Sequence, residues 1–205
     1  MIKKISITII VCLLSVCSYS QEHIKFNGAT FGKPLVEFVK GFPSNHIGSR
    51  PYKYYNGTPR GFNSELCNHN QYMIYLNSNP WRCHIFSSRS TDTVFRTVSV
   101  HRFYNDLENQ LMLLVKTLEE KYGGGIQEQQ QNLGEVVYEA KYYREMLALY
   151  YYIKGSNGNR IGEIRISAAP EDKNAKTGYI ELSYTDYSSR AKATREYNSL
   201  MRNAL

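Results

Sequence analysis

Two stretches of alternating side chains, each preceded by a segment of helical period, restrict this chain more than any other feature. Between residues 50 and 104, Tyr72, Ile74 and Leu76 recur two apart, followed by Trp81, Cys83 and Ile85 and then by Val98 and Val100. That spacing belongs to antiparallel strands sharing one buried face, and the separators at 77–80 and 87–92 carry the residues that tight turns need. The same alternation returns at 147–153, 161–168 and 179–185, with a turn from Gly155 to Gly158. A short strand from His23 to Phe26 precedes both blocks and ends at Asn27-Gly28.

Helical spacing appears first at Leu35, Phe38, Val39 and Phe42, behind Pro34, whose missing N–H loses no partner in a first turn. The clearest helix is 107–122. Asn105-Asp106-Leu107-Glu108 supplies a cap with an acid three residues on, and Leu107, Leu111, Leu114, Val115, Leu118 and Tyr122 line one side before Gly123 ends it. Residues 135–146 read as a short helix, with a strand as the alternative because of their tyrosines. Ser188 or Ser189 can cap a last helix in which Ala193, Tyr197, Leu200, Met201 and Ala204 share a face. The expected fold is α+β: two similar helix-plus-antiparallel-strand units, 21–104 and 105–205, packing helices on one side of a twisted antiparallel sheet, with a C-terminal helix. Such packing leaves a tyrosine-bearing sheet face toward solvent.

Residues 1–20 stand apart from this pattern. Lys3 and Lys4 precede an apolar run from Ile5 to Cys17 and then Ser18-Tyr19-Ser20, the layout of an export signal. The run is about 13 residues, shorter than the ~20 of a membrane-spanning helix, and no later segment is apolar enough to cross. The expected location is periplasmic or extracellular. A lipid anchor at Cys17 is the weaker alternative, because Leu14-Ser15-Val16-Cys17 has a bulky valine where a lipoprotein box takes a small residue. Losing Lys3 and Lys4 leaves 23 of 25 basic residues against 18 acids, a net charge of +5. So mild an excess, in an exported chain, argues against nucleic acid as partner. Arg190, Lys192, Arg195 and Arg202 then read as a solvated helix face.

Beyond the leader only Cys67 and Cys83 remain. An oxidising compartment pairs two such thiols, so one disulfide is expected. A zinc site from Cys67, His69, Cys83 and His84 is disfavoured, because C-x-H and C-H lack convergent spacing and a strand points Cys83 and His84 to opposite faces. Neither a metal nor a cofactor is expected. Gly28-Ala29-Thr30-Phe31-Gly32-Lys33-Pro34 is one residue short of a phosphate loop and has proline where a hydroxyl should hold Mg²⁺. No G-x-S-x-G or H-E-x-x-H occurs.

A resemblance rests on the leader together with His23-Ile24-Lys25-Phe26-Asn27-Gly28, Glu37-Phe38-Val39, Lys121-Tyr122-Gly123, Gly162-Glu163-Ile164-Arg165-Ile166 and Ile180-Glu181-Leu182-Ser183-Tyr184-Thr185-Asp186. With these signatures the chain resembles small exported proteins of unknown function from gut Bacteroidales. The likeness implies an exported α+β protein and supplies no catalytic residues. In that setting Asp92-Thr93-Val94 also resembles a three-residue O-glycosylation acceptor, with a plain turn as the simpler reading.

Function is read from the tyrosines, of which there are 18. Tyr54 and Tyr55 fall in a loop or edge strand, and a strand would point Tyr150 and Tyr152 one way and Tyr151 the other. Their combined contact area and polar tips suit a non-enzymatic module for a protein or glycan partner outside the cytoplasm. Rings paving the sheet beneath the helices are the competing reading. An exported hydrolase centred on His101 or His84 is the alternative function, although no local pattern brings either histidine to an acid.

Overall fold

The first hairpin is made by Asn27 and Gly28, which both take positive φ, 46° and 87°. They close a two-residue turn of the primed kind between β1 (Lys25–Phe26) and β2 (Ala29–Thr30). The computed structural model describes residues 22–43, 67–127, 147–172 and 176–203. Helix α1 (Leu35–Lys40) follows, with Pro34 at its N-cap rather than in its first turn, where it also bridges to Thr93. Strands β3 (Cys67–Leu76), β4 (Asn79–Ser88) and β5 (Val94–Phe103) form an antiparallel meander, turned first by Asn77 and Ser78 at φ 50° and 64°.

Helix α2 (Leu107–Tyr122) ends at Gly123, as its sequence predicts. After it come β6 (Ile126–Gln127), β7 (Leu147–Lys154), β8 (Arg160–Pro170), β9 (Gly178–Asp186) and α3 (Tyr187–Asn203). The seven-stranded antiparallel sheet runs β3-β4-β5-β9-β8-β7-β6. The two meanders therefore meet through their last strands, and the halves 21–104 and 105–205 share one sheet. The expected helix at 135–146 lies outside the described residues.

One sheet face is apolar. Trp81, Cys83, Ile85, Ile164, Ile166, Ile180 and Leu182 meet Leu35 and Phe38 of α1 and Leu107, Leu111, Val115 and Leu118 of α2. On the other face a smaller cluster of Phe86, Val98 and Val100 receives Ala193 of α3. Helices thus pack on both sides, a correction to the one-sided arrangement. A second correction concerns β5. Cys83 pairs with Ser99 and Arg82 with Val100, so Val98 and Val100 oppose the Cys83 side instead of sharing it. β5 is central and buried on both faces, so its valines do not reveal which face holds the main core. The apolar stripe of α3 is also only partly used, since Ala193 is buried while Leu200 and Met201 stay about half exposed at 50% and 46%.

The carboxylate of Asp186, 0% exposed, joins three segments. Its Oδ1 accepts from the backbone N–H and hydroxyl of Ser189 (2.9 and 2.7 Å), the Ser188 hydroxyl (2.9 Å) and His23 Nδ1 (3.1 Å), and its Oδ2 accepts from Ile24 N–H (3.1 Å). Asp186, not Ser188 or Ser189, is therefore the cap of α3. The two serines donate to it from the first turn. Gly32 faces the His23 ring at a distance that leaves no room for a Cβ.

Asp186→Ala would leave the Ile24 and Ser189 amides without acceptors. The variant should lose about 3 kcal/mol in urea denaturation and Asp186→Asn roughly half of that. A loss below about 0.5 kcal/mol would be inconsistent with a cap that ties three segments.

Candidate functional site

The face carrying α3 is polar because alternation along six strands brings charged and polar residues to the same side. Register aligns Tyr152, Glu163, Thr185, Arg96, Phe86 and His69 in one row across the sheet. The next row holds Tyr150 and Arg165, and the third Ser167, Glu181, Val100 and Arg82. Arg165 Nη1 donates to Ser167 Oγ at 2.8 Å and lies 3.6 Å from Glu181. Burial pulls the Arg96 pKa down, and Glu181 counters it.

α3 crosses this face near the β4–β5 turn, where Glu196 accepts hydrogen bonds from Ser90 and Thr91. At the opposite end lies a cavity of about 430 Å³. Met73, Arg82, Val100, Arg102 and Tyr179 contribute from the polar face, and Pro80, His101 and Tyr104 complete the lining. β5 supplies Arg102, β9 supplies Tyr179, and their pairing makes the two direct neighbours.

Arg102 is held from three sides. Its Nε and Nη2 donate to one Glu171 oxygen at 2.9 and 2.7 Å, and its guanidinium carbon sits 4.8 Å from the Tyr104 ring centre and 5.7 Å from that of Tyr179. The Glu171 hydrogen bond raises the guanidinium pKa further, so the group is a fixed cation. Nη1 has no hydrogen-bond partner among the described residues. The Arg102 side chain is 42% exposed and Glu171 11%. The fork is thus anchored along one edge and open along another.

The histidines fall into three environments. His101 Nδ1 donates to the Pro80 carbonyl at 2.6 Å, which leaves Nε2 as the lone-pair nitrogen of the neutral ring. Burial lowers its pKa, although the Pro80 contact opposes the shift. His84 is fully buried and joined to His69 through a 2.8 Å Nδ1···Nε2 contact. Burial first, and then the His69 and Arg82 charges, push His84 down to about 3. His23, Asp186, Ser188 and Ser189 resemble a catalytic triad in composition only. Carboxylate and hydroxyls all crowd Nδ1, whereas a triad needs the hydroxyl on the far nitrogen.

Tyr150 and Tyr152 do share the polar face, half-buried, while Tyr151 is buried on the apolar side. Arg165 lies over the Tyr150 ring at 5.9 Å and Arg160 over Tyr152 at 3.8 Å. Two strands and four residues separate Tyr150 from Tyr179, about 16 Å, so the predicted pair stands outside the cavity. Tyr54 and Tyr55 lie outside the described residues. Sequence reading missed Arg82, Arg102, Tyr104 and Tyr179. A signal was present in Arg96-x-Val98-x-Val100-x-Arg102, where arginines share the valine side of a central strand.

Cys67 and Cys83 are both free and buried, a correction to the expected disulfide. Cys67 pairs with Ser88 and Cys83 with Tyr72, so five residues of hairpin and opposite faces separate them. About 17 Å between Cα atoms is far beyond disulfide reach. Among the described residues no group of three potential metal ligands forms. Thr93 is 6% exposed and hydrogen-bonded within its turn, in keeping with the plain-turn reading. No helix of the described residues is long and apolar enough to cross a membrane. No known protein family, curated protein or solved structure matches this chain.

Burial raises the Cys67 thiol to about 11 and Cys83 to about 12. Neither should be alkylated by iodoacetamide at a pH of about 8 until urea is added, when both should react. A disulfide-linked peptide pair from the native protein would contradict this placement. For His84, the unfolded chain takes up a proton below its ordinary pKa of about 6.5, and the folded chain does so only near 3. Stability should therefore fall as pH drops through that window, by up to about 1.4 kcal/mol per pH unit from this group. In His84→Gln the slope should shrink by that amount in urea titrations, and an unchanged slope would be the contrary result.

Proposed function

We propose that this chain is an exported, non-enzymatic binding module that takes a glycan in the cavity at the open end of its polar sheet face. The observation that carries the reading is Arg102, fixed by Glu171 and flanked by the rings of Tyr104 and Tyr179 at the cavity wall. A concave site of about 430 Å³ is the size of a small-ligand pocket, whereas a specific protein interface spreads over roughly 800 Å² per partner. Tyr104 is 64% exposed, so one ring offers an accessible surface on which the C–H face of a pyranose can lie. Tyr150 and Tyr152 extend the same face toward β7 and make outer contacts with a longer chain.

The hydrolase reading has less to rest on. His84 is buried and neutral, and His101 directs Nδ1 to a backbone carbonyl rather than to a carboxylate.

A panel of immobilised neutral and acidic oligosaccharides, probed with the protein and with Tyr104→Ala, tests the binding reading. At least one glycan should bind, and the substitution should weaken it about tenfold. Tyr150→Ala should cost a few-fold, and only on longer chains. No binding to any glycan, or undiminished binding by Tyr104→Ala, would reject the proposal.

A further inference from the structure

Resting on that glycan reading, we infer that the cavity selects the carboxylate-bearing end of an acidic glycan, a hexuronate, with the carboxylate held by Arg102 and Arg82 and the sugar ring laid against Tyr104. Charge is the first reason. Among the described residues, two guanidinium groups line the cavity and no Asp or Glu does. Glu171 neutralises Arg102 from outside the lining, and Glu181 is engaged with Arg165.

Geometry is the second reason. Arg82 pairs with Val100, and Arg102 is two residues further along the same strand and face. The Cα atoms of the two arginines are therefore about 8 Å apart, a spacing from which two long side chains can reach one carboxylate. Glu171 and the two tyrosine rings already orient the Arg102 fork, so a ligand meets a preorganised planar donor and less side-chain freedom is lost on binding. Planar guanidinium suits a planar carboxylate, and the adjacent ring suits a saccharide more than a bare ion.

Isothermal titration with glucuronate and galacturonate disaccharides, with their neutral counterparts and with sodium acetate, tests the assignment. The uronates should bind about tenfold or more tightly than the neutral sugars and than acetate. Arg102→Met should remove that preference, and Arg102→Lys, which keeps the charge and loses the fork, should restore part of it. Uronate affinity should fall as ionic strength rises toward about 1 M, where screening acts over ~3 Å, while neutral-sugar affinity stays level. Should Arg102→Met fail to fold, Arg82→Met, checked by its amide spectrum, gives the same readout. Neutral sugars binding as well as uronates would overturn the carboxylate assignment and leave the glycan module intact. Binding of acetate alone would also overturn it, by assigning the cavity to free carboxylates. Tyr104→Ala should weaken uronate and neutral sugar alike, and a loss confined to the uronate would contradict the stacking role.

Discussion

The antiparallel pairing of β5 with β9 holds the molecule together as one sheet. It runs from Arg96 opposite Thr185 to Phe103 opposite Gly178, and through it the meander β3-β4-β5 is joined to β9-β8-β7. Side chains on a strand alternate strictly, so this single register decides the content of both faces. It sends Ile180 and Leu182 to the side of Trp81, Cys83 and Ile85, where α1 and α2 close the main core. It sends Tyr179 and Glu181 to the side of Val100 and Arg102. A slip of one residue would exchange these sets.

The polar face is unusual for a surface that a helix partly covers. Burying arginine is unfavourable unless each charge is paired and its donors are satisfied, and an apolar face of the same volume would often be as stable or more so. Here Arg165 has Ser167 and Glu181, and Arg102 has Glu171, while Phe86, Val98 and Ala193 supply only a small apolar contact for α3. Departures from the most stabilising choice cluster at sites kept for another purpose. The cavity lies where this face runs on beyond the contacts of α3, and its tyrosines and arginines combine stacking surface with fixed positive charge.

Much of the fold was legible in the sequence because its signals were local. Asn27-Gly28 marked the end of the first strand, although the two-residue strand that pairs back after it went unread, and the leucine spacing of 107–122 with Gly123 announced α2 to the residue. The strands after 147 were placed within a few residues by alternation and by the Gly155 to Gly158 turn. Other features depend on register, which a single strand does not display. Val98 and Val100 look like core residues whichever way they face. Counting cysteines could not show that Cys67 and Cys83 sit on opposite sides of one hairpin. Serine and aspartate cap helices about equally well, so residue type alone did not separate Asp186 from Ser188 and Ser189; the strand runs directly into the helix and makes Asp186 the boundary. The cavity was least legible of all. Arg102 and Tyr179 are distant in sequence and become neighbours only through β5 and β9.

Nuclear Overhauser spectroscopy reads that register directly. Backbone contacts should link Val98 with Ser183 and Val100 with Glu181, placing the arginines of β5 on the side of α3. Contacts from Val98 to Leu182 or Tyr184 as its direct opposite would shift the pairing by one residue, turn Arg96 and Arg102 into the apolar core, and remove the basis for both the fold and the cavity.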